Sequence, residues 1–234
     1  MSDLTLYTFG TPNGHQASIA LEELGLQYKA ESIDISKNIQ KEEWFLKINP
    51  NGRIPALTDG KLNVFETCAI LLYLGDKYDK DNKISFEHGS DEYYQALSWI
   101  MFKQGGIGPM QGQANHFKLM CSVKSDYAIN RYVEETKRLY GVLERQLSKT
   151  DYLVGNKYSI ADIAAWCWVV YAEHLDIDLS EFPGVKAWVE RIAAREAVKK
   201  GKQVPPSTKT PEELKEMFKS MKEKVAAMEN TDKH

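Results

Sequence analysis

The sequence predicts an α+β protein: an N-terminal β-α-β-α-β-β-α domain followed by an all-helical bundle domain. Three observations carry that prediction. Strand-like and helix-like patterns alternate up to residue 80, a hairpin signal at Asp59-Gly60 sits inside that stretch, and only helical periodicity follows. The chain has 234 residues, 43% of them hydrophobic, enough for two small domains with real cores.

Leu4 to Phe9 reads as the first strand, Gln16 to Leu24 as a helix ended by Gly25, and Tyr28 to Ile35 as a second strand. This is a βαβ unit, whose crossover should be right-handed. Lys41 to Ile48 is expected as a short helix stopped by Asn49-Pro50-Asn51-Gly52. Ala56-Leu57-Thr58 and Leu62-Asn63-Val64-Phe65 then flank the Asp59-Gly60 turn. Thr67 to Tyr78 is the closing helix, and the order is that of a thioredoxin-like domain, residues 1–80. A polar connector, 81–90, leads to the helical domain, 91–201.

In that domain Asp91 to Gln104 ends in Gly105-Gly106-Ile107-Gly108-Pro109, which is expected to break or kink the helix. Tyr127 to Leu147 shows one long apolar face. Ser159-Ile160-Ala161-Asp162 is a capping box, and the helix it opens is apolar nearly all round, as a central bundle helix should be. The C-terminal extension, 202–234, carries a second capping box at Thr210-Pro211-Glu212-Glu213 before a helix with one apolar stripe.

Composition excludes several function classes. The net charge of -3 and the short patch Lys199-Lys200-Gly201-Lys202, read as a solvated helix end, make no nucleic-acid track. No apolar run approaches the roughly 20 residues of a membrane span, and Met1-Ser2-Asp3 opens no secretory signal, so the expected setting is cytoplasmic. Cys68, Cys121 and Cys167 are far apart, without CxxC, so neither a disulfide framework nor a metal site is expected. Any thiol chemistry would use a sulfur from outside.

With Asn49-Pro50-Asn51-Gly52-Arg53-Ile54-Pro55, Phe65-Glu66-Thr67 and Ser159-Ile160-Ala161-Asp162 in this order, the chain over residues 3 to 200 resembles a cytosolic glutathione transferase. Thr11-Pro12-Asn13-Gly14-His15, Gly105-Gly106-Ile107-Gly108-Pro109-Met110 and Gly112-Gln113-Ala114-Asn115-His116-Phe117 are most similar to the bacterial nu class and fungal Ure2-like transferases. The resemblance implies glutathione as co-substrate with no further cofactor, a small electrophile, disulfide or peroxide as second substrate, and a homodimer. An alternative on the same fold is a non-catalytic regulatory or assembly module; a Ure2-type regulator would carry an Asn/Gln-rich extension, which is not seen here.

Site residues follow from the same comparison. Glu66 and Thr67 are expected to meet the γ-glutamyl group, the helix end at Thr67 suiting its carboxylate and Glu66 its ammonium, where a plain N-cap pair is the alternative. The resemblance implies a cis Ile54-Pro55 bond that turns the backbone of Arg53 and Ile54 toward the ligand. It also implies Gln40 at the glycine end, where a solvated cap is the alternative, and Arg131 reaching toward the tripeptide, where a surface salt bridge is. Met110, Asn115, His116 and Phe117 are the implied pocket for the second substrate.

The turn Thr11-Pro12-Asn13-Gly14 has no cysteine where redox relatives of the fold carry one. Thr11 and Asn13 contain no base, but a hydroxyl and an amide aimed at the ligand sulfur would stabilise its thiolate. Tyr7 is the competing candidate, since other transferase classes place a catalytic tyrosine near the end of strand 1.

Overall fold

The computed structural model describes residues 3–206. Its N-terminal domain runs β1 Leu4–Thr8, α1 Pro12–Leu24, β2 Lys29–Ser32, α2 Glu43–Leu46, β3 Ala56–Asp59, β4 Leu62–Phe65 and α3 Thr67–Tyr78. The helical domain continues with α4 Asp91–Phe102, α5 Gly108–Asn115, α6 Asp126–Leu147, α7 Ile160–Val169, α8 Pro183–Ala193 and α9 Glu196–Gly201. The sheet has four strands in the order β2-β1-β3-β4, with β1 and β2 parallel and the other pairs antiparallel.

Alternation along β1 decides where things go. Leu4, Leu6 and Thr8 are buried against the helices, whereas Tyr7 points to the opposite face and packs on Trp44 and Phe45 of α2. The main core is continuous across both domains, from Leu6 and Ile19 through Ile70 to Trp166 and Trp188. α1 lies at its centre, packed against α3, α7 and α9.

Three expectations are corrected in detail. The second strand stops at Ser32, because the Asp34 carboxylate accepts from the Ser36 amide at 3.0 Å and opens a 3₁₀ turn. The helix expected over Lys41 to Ile48 is one turn, Glu43–Leu46, preceded by two 3₁₀ turns. Of the break or kink expected at Gly105-Gly106, the break does not occur: Lys103–Ile107 is a π turn joining α4 to α5. Pro109 has no N–H for the carbonyl four residues back, and the wide turn before it absorbs that mismatch.

The Ser159 cap forms as expected. The Asp162 carboxylate, fully buried, accepts from the Ser159 and Leu153 amides and from the Trp188 indole. The second capping box, Thr210 to Glu213, and its helix lie outside the described residues.

Candidate functional site

At the handover from β1 to α1, Thr11 is extended and its Oγ1 accepts from the Gly14 amide at 3.1 Å, capping the helix. Its hydroxyl proton remains available to donate. A β-carbon at Gly14 would stand 2.1 Å from the Phe9 carbonyl oxygen, so a glycine is required for α1 to start this close to the end of β1.

Asn13, in the first turn, is oriented by its neighbours. Its Oδ1 accepts from Gln16 Nε2 and from Trp168 Nε1, each at 3.0 Å. An indole can only donate, so the amide oxygen must face Trp168 and the –NH₂ is left for the cleft that Asn13 lines. Gly108 and Gly112 face the Trp168 indole, and a β-carbon at either would stand in van der Waals contact with it at 3.4 Å.

Across the cleft, Asn49 shapes the loop before β3. Its Nδ2 donates to the Arg53 carbonyl at 2.7 Å and its Oδ1 accepts from the Asn51 amide at 3.0 Å. The Ile54-Pro55 bond is cis. Glu66 has a positive φ of 71°, uncommon for a residue with a side chain, and its carboxylate accepts from Gln104 Nε2 at 3.0 Å. Thr67 starts α3, and its hydroxyl lies 3.3 Å from both Gln104 Oε1 and Lys103 Nζ.

These groups surround one open cleft of about 530 Å³, within the ~300–1,000 Å³ usual for small-molecule sites. Thr11, Asn13, Gln40, Arg53, Ile54, Pro55, Glu66 and Thr67 all line it. Gln40 is 8% exposed, its Nε2 donates to the Ile35 carbonyl at 3.4 Å, and its Oε1 is buried without a partner among the described residues. The cleft offers a carboxylate and a helix N-terminus at one place, peptide-like backbone at another, and uncharged donors at the start of α1. That set matches an ammonium, a carboxylate and a thiolate on one extended ligand.

Other predicted residues are elsewhere. Arg131 is on the exposed side of α6. Phe117 stacks on Tyr132 with ring centroids 5.7 Å apart, and His116 meets Phe117 edge-on at 5.1 Å. Met110 packs against the core, and Asn115 Oδ1 is buried without a partner among the described residues. None of these five lines the cleft, and neither does Tyr7.

Sequence reasoning missed Gln104 and Trp168, which line the cleft from the helical domain. The signal for Trp168 was an indole in an otherwise apolar helix, since a buried indole N–H needs an acceptor. Cys167, beside it in sequence, is core: burial pushes its thiol up to about 12. Among the described residues no group of three His, Cys, Asp or Glu side chains is gathered to hold a metal ion, and no helix is long and apolar enough to cross a membrane.

Comparison with known proteins places this geometry. Residues 2–76 match the family model described as glutathione S-transferase, N-terminal domain, and residues 116–196 the model for the C-terminal domain. The chain is 42% identical over 201 residues to the disulfide-bond oxidoreductase YfcG of Escherichia coli, covering 83% of this chain and 92% of that protein. It also superposes on a glutathione transferase homolog from Lodderomyces elongisporus, solved with two GSH per subunit. There the TM-score is 0.85 and the identity 44%, over 88% of this chain and 100% of the other. Against the glutathione transferase URE2P6 of Phanerochaete chrysosporium, in complex with oxidized glutathione, the TM-score is 0.82 at 43% identity, over 86% and 94% of the two chains. The matched models fall on the two halves of the fold that meet at the cleft, and the chain belongs to the glutathione S-transferase family.

Proposed function

We propose that the cleft binds glutathione, with Glu66 and Thr67 on the γ-glutamyl group, the Arg53 to Pro55 backbone along the peptide, Gln40 at the glycine end, and Thr11 and Asn13 at the sulfur. The observation that carries this reading is the Asn13 amide, whose oxygen is held by two donors so that its –NH₂ is free for the ligand. It lies in the first turn of α1, where the positive helix end also favours a thiolate.

The thiolate is the nucleophile, and disulfide reduction is the main reaction. It attacks one sulfur of the substrate disulfide, the S–S bond breaks, and the departing thiolate takes up a proton. A second glutathione thiolate then attacks the mixed disulfide, releasing glutathione disulfide and the second thiol. Peroxides and small electrophiles are further substrates of the same nucleophile, with contacts from Arg131, Met110, Asn115, His116 and Phe117, which do not line the cleft itself, proposed only for the part of a second substrate that extends beyond it.

The expected setting is the cytosol, where glutathione is held reduced; the free Cys68, Cys121 and Cys167 suit such a compartment. A homodimer fits the exposed apolar side chains on both domains, Leu62 and Phe65 on β4 and Tyr94 and Met101 on α4.

Steady-state rates with glutathione and either 2-hydroxyethyl disulfide or 1-chloro-2,4-dinitrobenzene test this reading. The disulfide should be turned over faster. Glutathione binding without turnover of either compound would instead make the chain a non-catalytic module.

A further inference from the structure

Lys103 opens the π turn between α4 and α5 and is 1% exposed, yet among the described residues it makes no ion pair. A buried ammonium without a carboxylate is costly unless its protons are all accepted. Its Nζ lies 2.7 Å from Gln16 Oε1 and 3.3 Å from both Thr67 Oγ1 and Gln104 Oε1, one oxygen for each N–H. The titratable groups around it are the Cys68 thiol, with Sγ at 3.9 Å, and Cys167 and Glu66 farther off.

Resting on the Asn13 reading above, we propose that Lys103 is a positioning residue for the thiol chemistry, fixing and polarising the Asn13 amide through Gln16. Lys103 holds the Gln16 oxygen, which turns the Gln16 –NH₂ to the Pro12 carbonyl at 3.2 Å and to Asn13 Oδ1 at 3.0 Å. Gln16 is fully buried, so no water competes for that arrangement. The hydrogen bonds then point one way, from the ammonium through Gln16 to Asn13 and out to the cleft. Chains of this kind strengthen each member, and a positive charge at the inner end makes the outer N–H a better donor to a thiolate. Trp168 anchors the same Asn13 oxygen from the other side.

The thiolate absorbance of bound glutathione, followed against pH, tests the relay. Asn13→Ala should raise the apparent pKa of the bound thiol by about one to two units. Lys103→Met should raise it by about half a unit to one unit, with glutathione affinity and melting temperature measured alongside. The double variant should match Asn13→Ala alone, since the relay acts only through that amide.

Should Lys103→Met fail to fold, Gln16→Glu gives the ammonium a carboxylate partner while removing the donor to Asn13, and should raise the thiol pKa in the same way. An unchanged thiol pKa in a folded Lys103 or Gln16 variant, with Asn13→Ala still shifted, overturns the relay and leaves Asn13 in place. Full additivity of Lys103→Met and Asn13→Ala also overturns it. An unchanged pKa in Asn13→Ala overturns the Asn13 reading itself, and the relay with it.

Discussion

Arg195 holds both carboxylate oxygens of Glu23 with one edge of its guanidinium, Nε donating at 2.6 Å and Nη2 at 2.8 Å, and lies 3.9 Å over the Tyr158 ring. Glu23 is on α1, 3% exposed, and Arg195 is at the start of α9, so this pair ties the helical domain to the helix that carries the site. Arg195→Ala would leave a buried carboxylate without its cation and should destabilise the fold by about 3 kcal/mol. Adding Glu23→Gln should recover part of that loss, read as denaturant midpoints of the two single variants and the double variant.

Asn13 and Tyr7 make opposite predictions. Asn13→Ala should lower disulfide reduction at neutral pH on the order of tenfold to a hundredfold, because a charge-assisted hydrogen bond of about 1.5 to 3 kcal/mol is lost. Thr11→Ala should give a smaller fall. Tyr7→Phe should do little, since that ring packs on Trp44 and Phe45 away from the cleft. A larger loss in Tyr7→Phe than in Asn13→Ala would reassign the thiolate to Tyr7.

Glu66 is expected to act in binding more than in turnover. An ion pair to the ammonium of glutathione holds ground and transition states alike, so Glu66→Ala should raise KM for glutathione with kcat nearly kept. A drop in kcat at saturating glutathione, with KM unchanged, would remove Glu66 from this role.

His15 gives a pH dependence. It is 7% exposed, and burial first, then the Lys202 ammonium, pull its pKa down to about 4 from the ordinary 6.5. Below pH 6.5 the unfolded chain takes up a proton that the folded chain refuses, so this residue lowers stability as pH falls from 6.5 toward 4. Between pH 7 and pH 5 the loss should be about 2 kcal/mol. His15→Gln should flatten the difference in denaturant midpoint between the two pH values.

The proposed homodimer predicts a sedimentation mass at micromolar concentration near twice the 26.7 kDa of one chain. A single-chain mass would leave the apolar faces of β4 and α4 without this explanation.

Local signals in the sequence reached far. Thr11-Pro12-Asn13-Gly14, the Asp59-Gly60 hairpin and Ser159 to Asp162 announce their structures because the deciding interactions span a few residues. The cis Ile54-Pro55 bond came from family resemblance, not from local physics. Gln104, Lys103 and Trp168 stayed hidden because their roles depend on contacts across the chain, with Trp168 reaching a residue 155 positions earlier. Lys103 was further concealed by the π turn, since an expected break or kink there gives no reason to aim its ammonium into the core. The short α2 shows the other limit: 3₁₀ turns held by single side chains, such as Asp34, carry too weak a period to read.

The positive φ of Glu66 sets two selection pressures against each other. At φ 71° glycine is at ease, and any residue with a β-carbon is strained by about 1 kcal/mol or more. A screen for thermal resistance alone would therefore drift toward Glu66→Gly and erase the carboxylate that faces the cleft. A screen for glutathione affinity would reject the same change, so position 66 is where heat tolerance and ligand capture would be traded in any directed evolution of this protein.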